Sequence, residues 1–201
     1  MNKIALGAIA ALLISILAVV TLFISTSDTE FDQKTQKFSD LGGEFTLSSQ
    51  AGPVSLSDFK GKVVVMYFGF LSCPEVCPNS MTTIRTALKR LDDDNLKRTQ
   101  ALLVSIDPKR DTLEKLAKYA EYFHPNLAGI TGTKANIDAV TKQYGAYYNF
   151  TEIESASQDY GVEHSSRYYV IDQQGKLVAA MRHSTTPNEL YAQIVEVQEK
   201  G

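Results

Sequence analysis

The run Val63-Val64-Val65-Met66-Tyr67-Phe68 constrains this chain more than any other stretch. Successive apolar, mostly β-branched or aromatic positions without alternation fit a strand buried on both faces. The run leads straight into Gly69-Phe70-Leu71-Ser72-Cys73-Pro74-Glu75-Val76-Cys77-Pro78, which holds both cysteines of the 201 residues. A helical pattern follows, Met81-Thr82-Thr83-Ile84-Arg85-Thr86-Ala87-Leu88. The pair therefore stands where a central strand ends and a helix begins, the end at which open α/β sheets keep their sites.

Cys73 and Cys77 each precede a proline. That pushes both out of the α region and makes the segment between them an irregular loop. Pro78 suits the first position of a helix spanning about 78–92. Cys77 then lies at or next to the N-cap, where the helix dipole and free N–H groups favour a thiolate. Metal binding and disulfide exchange both need thiolates. A structural disulfide or two inert buried thiols is the plainer alternative.

Residues 4–24 carry no charge, with Lys3 before them and Asp28, Glu30 and Asp32 after them. About 21 residues at roughly 1.5 Å each cross a bilayer core. The positive-inside rule leaves Lys3 in the cytoplasm and the remainder outside. We expect an uncleaved single-pass anchor at 1–26, a polar tether at 27–39, and one domain at 40–201. A cleaved signal peptide is the competing reading, but Ile24-Ser25-Thr26-Ser27 is a poor cleavage site. The setting implied is a bacterial-type inner membrane, with the domain facing the periplasm or outside. A formal net charge of -3 gives no reason to expect nucleic acid.

Glu44 to Leu56 reads as a small hairpin around Gly52. After the cysteine loop and its helix, Gln100 to Ile106 is a strand ending in Asp107-Pro108. Asp111 to Phe123 is a helix with Asp111 as N-cap and Glu114 at capping-box spacing. A short strand at 127–130 and a helix at 134–144, stopped by Gly145, come next. Tyr147 to Thr151 is a strand and 152–163 a polar loop. Residues 167–172 and 177–181 form a hairpin, and Pro187 to Gln198 closes as a helix. The fold class is α/β, and the element order resembles a thioredoxin-like domain with an N-terminal hairpin and an insert. Its central mixed sheet is flanked by helices.

In such a sheet the strand at 167–172 lies beside the cysteine strand. His164, at its mouth, then stands near the loop, where thioredoxins place a cis-proline. Two thiolates and one imidazole make a soft, low-coordinate set suited to copper as Cu(I) or Cu(II). Zinc usually wants a fourth protein ligand in a closed site. His124 reads as a helix-end residue and His183 as at most an accessory ligand.

These residues carry a wider resemblance. Cys73-Pro74-Glu75-Val76-Cys77-Pro78, Asp107-Pro108-Lys109-Arg110-Asp111-Thr112, Gly129-Ile130-Thr131-Gly132-Thr133 and His164-Ser165-Ser166 before Tyr169-Val170-Ile171-Asp172 occur in that order. The chain resembles the Sco/SenC family of membrane-anchored copper proteins. It departs from the family at Leu71-Ser72 and at Leu113, neither of which is a ligand position. The resemblance implies one copper held by Cys73, Cys77 and His164, and Asp107 as a residue behind the ligands that orients them. Arg110 and Asp111 are expected to pair and hold the same loop. The implied role is assembly of the binuclear copper centre of cytochrome c oxidase. The partners would be that centre's subunit II cysteines, other copper carriers and the membrane.

Two functions stay open. One is a metallochaperone that passes copper by ligand exchange, with His164 swinging on a mobile loop. The other is a thiol–disulfide oxidoreductase using Cys73 and Cys77 as its redox pair, one cysteine attacking and the other resolving. A peroxidase would want a peroxide-activating residue near the cysteines, and the sequence offers none; a redox or copper sensor stays possible.

Overall fold

The computed structural model describes residues 38–151 and 160–201. The expected membrane anchor lies outside the described residues, as does most of the expected polar loop. Among the described residues, no helix is long and apolar enough to cross a membrane.

A hairpin of β1 (Thr46–Ser49) and β2 (Gly52–Ser55) precedes β3 (Val63–Gly69). Every residue of β3 is buried, as its unbroken apolar run requires. Then come α1 (Val76–Arg90), the short α2 (Asp93–Lys97), β4 (Thr99–Ser105), α3 (Leu113–Phe123), β5 (Leu127–Ile130) and α4 (Lys134–Gln143). The strands β6 (Tyr148–Thr151) and β7 (Gly161–His164) form an antiparallel pair of their own. β8 (Arg167–Ile171), β9 (Leu177–Arg182) and α5 (Pro187–Lys200) complete the domain.

The main sheet runs β5-β4-β3-β8-β9. β3 pairs parallel with β4 and antiparallel with β8, so it sits at the centre of a mixed sheet. This is the thioredoxin-like arrangement that the element order implied. The two parallel steps, β3 to β4 and β4 to β5, each need a helical crossover, supplied by α1 and α3.

Tyr67, Leu103 and Gly129 share one face by register. That face carries Cys77 of α1, which crowds Gly69, and Leu116 of α3, which lies directly over Gly129. On the opposite face Phe68 and Tyr169 pack edge-on at 5.4 Å, and each meets Tyr144 at the end of α4. Gly145 stops α4 as expected, with φ of 64°.

Three local expectations are corrected. α1 begins at Val76, two residues early, so Pro78 is its third residue. Proline is tolerated there because the first four N–H groups of a helix have no internal acceptor. The N-cap of α3 is Thr112, whose hydroxyl accepts from Lys115 N–H, rather than Asp111. Residues 161–164 are a strand and not loop, because β6 offers a matching edge with Tyr148 opposite His164.

Candidate metal centre

The loop between β3 and α1 folds the two cysteines back on each other. Cys77 occupies the second position of α1, and its N–H points out of the first turn with no helical acceptor. Cys73 Sγ accepts that N–H at 3.3 Å. Both residues are buried, Cys77 more deeply.

The sequence placed the helix-favoured thiolate at Cys77, and the geometry moves it to Cys73. The Cys77 thiol, the His164 ring and the Cys77 and Glu75 backbone together pull the Cys73 thiol down to about 4, although burial opposes them. The partner that shares its proton goes the other way. Cys77 is raised by its hydrogen bond to Cys73 and by burial. The metal-free pair thus holds one thiolate, at Cys73, and one thiol, at Cys77.

His164 closes the site from a separate element. It is the last residue of β7, anchored by pairing with Tyr148 rather than carried on a loop. Its Nε2 stands 3.7 Å from Cys77 Sγ, and its Nδ1 lies 3.3 Å from the Ser165 carbonyl oxygen. With the ring proton on Nε2 the imidazole donates to the Cys73 thiolate; with the proton on Nδ1, donated to that oxygen, Nε2 offers its lone pair to a metal. Tyr67 and Phe70 hold the ring edge-on, at centroid distances of 6.2 and 5.7 Å.

The ligand atoms of Cys73, Cys77 and His164 all lie within 4.8 Å of one another. Atoms bonded to one ion at about 2.0–2.3 Å stand up to roughly 4.5 Å apart, so the triad is close to a metal-binding geometry as it stands. Among the described residues it is the one cluster of three or more such side chains. His183, exposed after β9, lies outside it. His124 caps the end of α3, as expected.

Asp107 is fully buried but does not join the triad. Its carboxylate accepts from the Arg110 guanidinium and, at 2.6 Å, from the Tyr160 hydroxyl. Arg110 also donates to the Tyr160 carbonyl at 3.1 Å, and its guanidinium lies 3.9 Å from the Tyr160 ring centroid. Asp107 and Arg110 thereby clip the start of the strand that ends in His164. The expected Arg110–Asp111 pair does not form. Asp111 instead accepts from Ser105 Oγ at 2.6 Å and from Leu71 N–H at 3.0 Å, binding the cysteine loop to the end of β4. Tyr67, Phe70 and Tyr160 were not singled out from sequence. The alternation that puts Tyr67 on the same face of β3 as Gly69 was the available signal for the first.

Comparison with known proteins places this geometry in a lineage. The chain is 37% identical over 142 residues to mitochondrial SCO2 of Saccharomyces cerevisiae, covering 70% of this chain and 47% of that one. It thus spans about half the length of that relative. Over 154 residues it is 36% identical to an SCO2-like protein of Rickettsia felis, covering 75% and 73% of the two chains. The structure of yeast Sco1 with copper bound superposes with a TM-score of 0.72 at 31% identity, covering 81% of this chain and 90% of that one. The SCO1/SenC family model matches residues 33–199, and the chain belongs to that family.

Proposed function

We propose that this protein is a membrane-anchored copper carrier. It holds one copper ion through Cys73, Cys77 and His164 and passes it to the cysteines of the binuclear copper centre of cytochrome c oxidase. The observation that carries the reading is the convergence of two sulfurs and one imidazole nitrogen within 4.8 Å. Two thiolates suit Cu(I), and the added imidazole lets the same set hold Cu(II). The donor set fits that ion better than zinc, for which no fourth side chain joins the triad among the described residues.

The residues divide the work. Cys73 meets the incoming ion already deprotonated, and Cys77 releases its proton as its bond to the metal forms. His164 completes the set with Nε2. Because β7 is paired with β6, release proceeds by stepwise exchange of a partner's thiolate for Cys73, the more exposed sulfur, with His164 held in place. The uncharged segment at 4–24 keeps the domain on the outer face of the membrane, where its target resides.

The lowered pKa of Cys73 favours a second reading, a thiol–disulfide oxidoreductase. Here Cys73 attacks the target disulfide and Cys77 resolves the mixed disulfide, so two thiols are oxidised as the target pair is reduced. A transfer assay separates the two. Copper-loaded protein is mixed with the reduced copper-site domain of oxidase subunit II, and metal-free reduced protein with the oxidised domain. Copper movement in the first mixture, abolished by Cys73→Ser, supports the carrier. Thiol appearance in the second mixture alone supports the reductase.

A further inference from the structure

Among the buried hydroxyls without a hydrogen-bond partner in the described residues, that of Tyr67 belongs to a ring packed against His164. The Tyr67 hydroxyl is buried and unbonded among the described residues. Tyr67 stands on β3 beside two of the three candidate ligands. Its ring meets the His164 ring edge-on, with centroids 6.2 Å apart. Its Cε1 and Cys77 Sγ flank a single gap over Gly69, lying 3.1 and 3.0 Å from the point a methyl group there would occupy. The edge of the ring next to the hydroxyl faces the same gap as the sulfur, and Tyr67 is among the side chains acting on Cys77.

A buried donor without an acceptor costs free energy, and native structures rarely keep one without a reason. Ser80, Ser166 and the Cys77 sulfur are the polar groups that approach it, and none completes a hydrogen bond by geometry. Cys77 is the neighbour that becomes an anion when it gives up its proton to bind a metal. An O–H bond to a thiolate is charge-assisted and about twice as strong as a neutral one.

We infer that Tyr67 is a positioning and tuning residue of the copper site, its hydroxyl donating a hydrogen bond to Cys77 Sγ when both cysteines are bound to copper. This rests on the copper reading above. The bond withdraws electron density from the sulfur. It thereby favours Cu(I) over Cu(II), since hydrogen bonding at a ligand sulfur tunes copper potentials.

The test uses the full chain in detergent, loaded with Cu(II), as wild type, Tyr67→Phe and Tyr169→Phe. Tyr169 has an equally buried, equally unpartnered hydroxyl on the opposite face of the sheet, against Phe68 and Tyr144. Copper stoichiometry, the sulfur-to-copper(II) charge-transfer band and the midpoint potential are read for each. We expect Tyr67→Phe to load one copper, shift the band to longer wavelength and lower the potential. Tyr169→Phe should match wild type. Identical band and potential in Tyr67→Phe and wild type overturn the inference, as does an equal shift in Tyr169→Phe. A large loss of thermal stability in metal-free Tyr67→Phe also overturns it, because an unpartnered hydroxyl leaves nothing to lose. A wild type that shows no thiolate–copper band overturns the copper reading itself.

Discussion

Asp111 accepts the Leu71 N–H at 3.0 Å across forty residues of chain, and so ties the loop that carries Cys73 to the end of β4. The same oxygen accepts the Ser105 hydroxyl at 2.6 Å. Asp111→Ala leaves the buried Ser105 hydroxyl and the half-buried Leu71 N–H without this acceptor and should cost about 1–3 kcal/mol in urea denaturation. Asp111→Asn retains an acceptor oxygen and should cost clearly less. Equal stability of the alanine variant and wild type would show that the tether carries no load.

Gly69 is held small by the site itself. A Cβ there would stand 3.0 Å from Cys77 Sγ, 3.1 Å from Tyr67 Cε1 and 3.2 Å from Leu103 Cδ1. Overpacking of this kind costs about 1–3 kcal/mol. Gly69→Ala should lower the thermal midpoint and weaken copper binding together. A lower midpoint with unchanged copper affinity would mean the strain is relieved away from Cys77.

The Cys73 thiol, pulled down to about 4, predicts one thiolate in the reduced metal-free protein across the neutral range. Its ultraviolet absorbance should persist from pH 8 down past pH 5 and fade as pH falls through about 4. Cys73→Ser should abolish it, whereas Cys77→Ser should leave one thiolate at neutral pH. Absorbance that fades near pH 8 to 9, as for a free thiol, would contradict the assignment.

His124 predicts a pH effect on stability. Burial, then the charges of Lys89 and Arg85, hold its imidazole below the ordinary value of 6.5, and its Nδ1 accepts the Asn126 N–H at 3.0 Å. The unfolded chain therefore binds the proton first as pH falls. The stability contributed is complete above 6.5 and declines as pH drops below it toward the folded value. Wild type should lose more stability than His124→Gln between pH 7.5 and 5.5 by denaturant titration. Parallel losses would remove His124 from the account.

What could be read from sequence follows a physical line. β3 was legible because a strand buried on both faces must be apolar throughout, and α3 because its periodicity survives any packing. Cys73, Cys77 and His164 were legible because their chemistry is rare. Asp111 was misread because Asp111 and Glu114 imitate a capping box, while its real partner is a backbone N–H distant in sequence. β7 was missed because Gly161-Val162-Glu163-His164 is short and half polar. Its strand character comes from the partner edge of β6. The direction of the thiolate was missed because the loop folds Cys73 back onto Cys77, so that the Cys77 thiol first, and His164 and the first-turn N–H after it, stabilise the Cys73 sulfur, contacts that the sequence does not display.

The most direct test of the central claim is a copper titration of the reduced full chain in detergent, beside His164→Ala. One tightly held copper per wild-type chain is expected, and a site lost or much weakened in the variant. Equal copper binding by both proteins, or none by either, would contradict a site built from Cys73, Cys77 and His164.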